Sequence, residues 1–181
     1  MSEGSLQRWH FETLMECVDS TEDQQVHHDL THFVFLLSTR ELLARVCVEV
    51  GAISYLVRNI VKYHDVAAAL LRTSFSALAN LLKLEEGASH FVQLNGFKFL
   101  LAMVANNQME NQEEAARAVY YATQSKDNLK KFLDEGGLPK VRAPTLHASV
   151  SCLCLAVACA PAACAPAARA ALLLWPVASP R

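Results

Sequence analysis

Apolar residues between positions 4 and 141 recur every three or four positions, and no stretch alternates apolar with polar. That period belongs to helices packed by one face, not to strands. Leu70, Leu71, Leu78, Leu81 and Leu82, with Ser74 among them, trace one such face. Further on the pattern predicts helices over roughly 86–94, 97–106 and 112–125. Asn106, Asn107 and Asn111 make a polar break before the last of these. Glu110, Glu113 and Glu114 suit the positive end of its dipole.

The pattern repeats. With Gly96 placed over Gly137, an offset of 41, Phe91 falls on Phe132, Val92 on Leu133, Phe97 on Leu138 and Ala77 on Ala118. With Gly51 placed over Gly96, an offset of 45, Val46 falls on Phe91, Cys47 on Val92 and Leu56 on Leu101, while His32 falls at the interior position of Ala77. A period of 41–45 residues predicts a solenoid of stacked helical units. Each unit reads as a short helix followed by two longer ones. The expected units are 4–39, 40–83, 84–125 and a truncated 126–141. Gly51, Gly96 and Gly137 are expected where the short helix turns sharply into the next, since glycine tolerates left-handed or crowded backbone.

Charge and composition then narrow the picture. Residues 1–140 hold 13 Lys and Arg against 18 Asp and Glu, and residues 141–181 hold three Arg and no acid. No dense basic patch appears, and at the end of the third helix Lys83 aligns with Gln124 and Ser38, so no basic ladder runs from unit to unit; no nucleic-acid partner is expected. The N-terminus carries acids where a basic leader would stand, so a cytoplasmic location without disulfides is expected. Cys17 and Cys47 read as small buried hydrophobes. Near residue 142 the sequence changes: residues 142–181 hold five of the six prolines and none of the six glycines. This Ala/Cys/Pro-rich tail reads as low-complexity and poorly packed. Residues 143–168 carry no charge, but Pro161 and Pro166 interrupt them, so membrane association through 143–175 is an alternative rather than the expectation.

The chemistry-bearing motifs are few. His28 and His32 stand four apart, a spacing that can hold zinc on a helix. Asp29 stands where a metalloprotease helix carries Glu, and no third ligand is identifiable. No phosphate-binding glycine loop and no nucleophile with a base partner is present. No catalysis, metal or cofactor is therefore expected.

The stretches VxxGAIxxLV at 48–57, ALANL at 77–81, NGFxxLL at 95–101 and NLxxFLDEGGLP at 128–139 resemble the armadillo repeat family. The resemblance covers residues 40–141 well and 4–39 weakly. The turning glycine and the Asn-Leu pair favour it over the two-helix HEAT repeat. It implies an all-α, right-handed superhelix of about three incomplete repeats, whose third helices line a concave groove that takes a peptide or a partner helix. Asn80 matches the amide that holds a partner's backbone in such grooves. Its counterparts here are Phe35 and Tyr121. Thr31, Ser76 and Arg117 stand where readers of basic import signals carry tryptophan, which argues against that cargo. The expected groove residues are Ser76, Asn80, Lys83, Arg117, Tyr121 and Gln124, although polar positions on a helix ordinarily form a solvated face. The function expected is that of a non-catalytic protein-interaction scaffold. The alternative is a truncated repeat protein that associates with another chain or a membrane through its uncapped end and apolar tail.

Overall fold

A computed structural model describes residues 8–63, 67–105 and 109–137. Among these the chain is all helix, with no strand: α1 (Arg8–Asp19), α2 (Gln24–Ser38), α3 (Glu41–Glu49), α4 (Ala52–Tyr63), α5 (Ala68–Leu81), α6 (Glu85–Gln93), α7 (Gly96–Ala105), α8 (Met109–Ala122) and α9 (Lys126–Asp134). The expected tail at 142–181 lies outside the described residues.

Local chemistry sets the helix ends. The Asp23 carboxylate caps α2 by accepting the Gln25 backbone N–H at 2.8 Å. The Ser125 hydroxyl caps α9 by accepting from the Asn128 N–H at 3.2 Å. Each satisfies a donor that the first turn leaves unpaired. Glu41, Glu85, Glu86 and Asp127 lie in first turns, where the helix dipole favours them.

The short helices α3, α6 and α9 end alike. Gly51, Asn95 and Gly136 adopt φ of 83°, 57° and 72°. Their N–H groups donate to the carbonyls of Val48, Val92 and Leu133 at 3.1, 3.1 and 3.0 Å. This is one left-handed helix stop used three times. It corrects the expected register. Gly51 matches Asn95, not Gly96, and the residue matching Gly96 and Gly137 is Ala52. Helix starts give the same result: Arg8, Ala52 and Gly96 are 44 apart, as are Gln24 and Ala68, whereas Ala68 and Met109 are 41 apart. The three-residue shortening falls between the starts of α7 and α8.

Gly96 and Gly137 answer a different need from Gly51. A Cβ on Gly96 would lie 2.2 Å from the Phe91 ring, and one on Gly137 2.4 Å from the Phe132 ring. In the preceding unit Cys47 stands where Phe91 does, and Ala52 fits above it.

The helices form ranks. α5 lies between α2 and α8 and packs along both, α3 and α9 flank α6, and α4 and α7 pack on α5 and α8. One apolar core runs through all of them, from Met15 to Phe132. Within it Phe97 meets Phe91 and Phe132 edge-on, at centroid distances of 5.9 and 5.3 Å. Polar groups are buried around α2, two of them bonded across to α4. Asn59 donates to the Thr31 hydroxyl at 3.1 Å, His27 Nε2 reaches the Thr21 carbonyl at 3.0 Å, and the Tyr55 hydroxyl donates to the His27 carbonyl at 3.2 Å. Thr31, Asn59, His27 and Tyr55 are all buried.

Cys47 is 1% exposed, and burial pushes its thiol up to about 11. Cys17, expected to be buried, is exposed. It lies between the buried positions Met15 and Val18 and points away from the core.

Candidate functional site

The corrected register resets the third-helix face. On α2 the positions equivalent to Ser76, Asn80 and Lys83 are His32, Leu36 and Thr39, not Thr31, Phe35 and Ser38. Burial agrees with this. His32, Leu36 and Thr39 are exposed, whereas Thr31 and Ser38 are buried and Phe35 is partly so. His32 is therefore a surface residue and not the counterpart of Ala77; Phe33 takes that place. His28 is partly exposed and His32 exposed, and no group of three potential metal ligands occurs among the described residues.

α8 runs three residues earlier than the sequence pattern suggests. The break at Asn106 and Asn107 ends before Met109, and Asn111 and Glu113 lie inside the helix. At its other end the helix stops at Ala122, ahead of the Ser125 cap. Gln124 is thus beyond the helix, exposed in the turn, with its amide donating to the Tyr120 carbonyl at 2.9 Å. Lys83 lies just as far past the end of α5, but the Gln124 amide is turned back onto its own helix.

Three of the other five candidates, Asn80, Lys83 and Tyr121, are laced together with Ser38. Lys83 Nζ donates to Asn80 Oδ1 at 2.9 Å, and Asn80 Nδ2 donates to the Ser38 hydroxyl at 3.2 Å. The Lys83 ammonium also sits 5.3 Å from the centroid of the Tyr121 ring, within cation–π range. The sequence Ser38–Asn80–Lys83–Tyr121 therefore ties the C-terminal ends of α2, α5 and α8 together. Tyr121 is half-buried and packs edge-on against Tyr120, with centroids 5.3 Å apart. One turn earlier Arg117 donates to Glu114, whose side chain is only 17% exposed against 42% for Arg117. Ser76 is half-buried on α5, one turn before Asn80 and at the register position of Arg117.

The lacing defines the chemistry open to this face. The Asn80 amide is engaged on both its oxygen and its nitrogen, which leaves one N–H and one lone pair for any outside partner. Sequence reading missed Ser38 as the acceptor, because the one-residue register error placed it opposite Lys83. It also missed Leu36, which is 51% exposed at the position of Asn80 on α2. The signal was present in the sequence: the left-handed stops at Gly51 and Asn95 are 44 apart.

Comparison with known proteins adds the fold. Three crystal structures of engineered proteins, determined by the Northeast Structural Genomics Consortium, superpose on this chain with TM-scores of 0.70, 0.67 and 0.71. Sequence identities are 18, 21 and 18%, and the matches cover 81, 81 and 90% of this chain. The chain spans 60% of the length of the first two and 40% of the third. The sequence matches no protein-family model and no curated protein. Among the described residues no helix is long and apolar enough to cross a membrane.

Proposed function

We propose that the chain is an armadillo-like, non-catalytic interaction scaffold of the cytoplasm, coiled as a right-handed superhelix, that takes a protein segment on the α2–α5–α8 face. The observation that carries this reading is the side-by-side packing of α2, α5 and α8. It brings His32 and Leu36, Ser76 and Asn80, and Arg117 and Tyr121 to equivalent positions on adjacent helices. An exposed leucine, a half-exposed phenol and a half-exposed guanidinium on one face suit a protein partner. Aromatic and Arg anchors carry much of the binding energy at such surfaces, and truncating one often costs ~2 kcal/mol or more. The motifs at 48–57, 77–81, 95–101 and 128–139 support the family. The groove residues are Ser76, Asn80, Lys83, Arg117 and Tyr121, with Leu36 and His32 added from α2.

The test separates binding from packing. Arg117→Ala and Tyr121→Ala are compared with the parent for partner capture and for thermal melting. Weakened capture at unchanged melting is the expected result. Full capture with a lowered melting temperature assigns both residues to the core of the solenoid, and the face is then not the binding site.

A further inference from the structure

We infer that residues 138–160 of this chain form the second and third helices of a fourth unit and cover the outer side of α8. The way α8 is buried is the observation behind it. In the first unit, the outer side of α2 is covered by the unit that follows. The Thr31 hydroxyl accepts from Asn59 of α4, the His27 carbonyl accepts from Tyr55 of α4, and the Ser38 hydroxyl accepts from Asn80 of α5. The unit steps of 44 and 41 residues carry Thr31 to Ala116 and Ser38 to Thr123 on the outer side of α8. Both are only 4% exposed. Yet the second and third helices that would cover them lie past Gly137, where the described residues stop. The short helices behave differently. Val48 of α3 faces α6, since a Cβ on Gly87 would lie 3.3 Å from its methyl. By register Val92 faces α9 and is 6% exposed, whereas Leu133 faces outward from α9 and is 39% exposed. The solenoid is therefore covered along α8 and open beyond α9.

The sequence after Gly137 supplies the residues this cover needs. Leu138 and Val141 fall where Ile53 and Leu56 on α4, and Phe97 and Leu100 on α7, are wholly buried. With the spacing of the third unit, the third helix starts at Val150. Leu153 and Val157 then take the places of Leu71 and Phe75, both buried on α5. Residues 143–168 carry no charge, and Pro161 stops the helix after Ala160. A helix apolar on every side is stable only when packed. The outer side of α8 makes no polar demand on it, because the Thr123 hydroxyl already donates to the Val119 carbonyl at 2.9 Å. A second copy continuing the solenoid fits this place less well. It would bring α1, whose Glu12 and Glu16 stand where α4 buries Leu56 and Ile60, and two carboxylates would lose their water.

The experiment measures how fast N-ethylmaleimide labels each cysteine of the full chain, native and in denaturant, with the labelled peptides read by mass spectrometry. Cys152 and Cys159 take the places of Leu70 and Ala77, which are buried on α5, and Cys154 takes that of Arg72, which is exposed. The expected result is at least tenfold protection of Cys152 and Cys159 in the native chain, unchanged on dilution. Cys154 should label as readily as the exposed Cys17. Leu153→Asp should release Cys152 and Cys159 while the buried Cys47 stays protected, a sign that the core from Met15 to Phe132 is intact. Labelling of Cys152 and Cys159 at the Cys17 rate overturns the inference. So does equal protection of Cys154, which would mean burial without this register. Protection that is lost on dilution assigns the cover to a second copy and overturns it too, as does protection that survives Leu153→Asp.

Discussion

A single methyl group at position 96 has nowhere to go. The ring of Phe91 fills the space where it would sit, at 2.2 Å. The three units solve this contact with matched pairs: Phe91 with Gly96, Phe132 with Gly137, and the smaller Cys47 with the larger Ala52. Size is exchanged across the pair so that the short helix keeps its distance from the next. Gly96→Ala should therefore cost ~2 kcal/mol, within the usual cost of overpacking a filled core. Phe91→Cys alone should also destabilise, by leaving a cavity. Made together they rebuild the Cys47–Ala52 pair, and the two penalties should fall short of additivity by ~1 kcal/mol or more. Denaturant unfolding of the parent, both single variants and the double variant measures this. Strict additivity would mean that the two positions do not share the space. The requirement for glycine here was legible in the sequence, but its cause was not. Three glycines looked equivalent, and only backbone angles distinguish the left-handed stop at Gly51 from the crowding at Gly96.

Helices show a similar division between what pattern reveals and what it hides. The all-helical class and the approximate bounds of α6 and α7 could be read from apolar spacing, because each helix packs one face into a common core. The start of α8 could not. Asn106, Asn107 and Asn111 look like one polar break, yet α8 starts at Met109, since asparagine and glutamate are tolerated in the first turn of a helix. The one-residue error in α2 has another cause. It came from placing Gly51 over Gly96 instead of over Asn95, and the buried polar residues His27 and Thr31, at positions where α5 carries Leu71 and Phe75, offered no apolar template to correct it. That polar contact leads to a second prediction. Asn59→Leu leaves the Thr31 hydroxyl buried without its partner and should cost ~1–3 kcal/mol. Adding Thr31→Val removes the stranded hydroxyl and should return most of the loss, because two apolar groups can replace a buried polar pair at little cost. Melting curves of the two variants test this. A double variant no more stable than Asn59→Leu would mean that the hydrogen bond is not what Asn59 contributes.

Over the whole chain, each helix rank meets only its neighbours, and the core is continuous from Met15 to Phe132. The row Ser38–Asn80–Lys83–Tyr121 runs along one rim of the third-helix face only. Among the described residues, no side-chain hydrogen bond joins the N-terminal ends of α2 and α5 to each other. In mechanical terms the three helices are blades of a fan riveted at one edge. Thermal bending should open and close the free edge while the riveted edge holds its spacing. Spin labels at Gln25 and Ala69 should report a broader distance distribution than labels at Thr39 and Glu85, beside the C-terminal ends of the same two helices, and Asn80→Ala should broaden the second pair toward the first. Equal widths in the parent would mean that stiffness is uniform across the face. A fan of this kind changes the spread of its blades at one edge with no helix having to bend, which would let the proposed binding face accept segments of different girth.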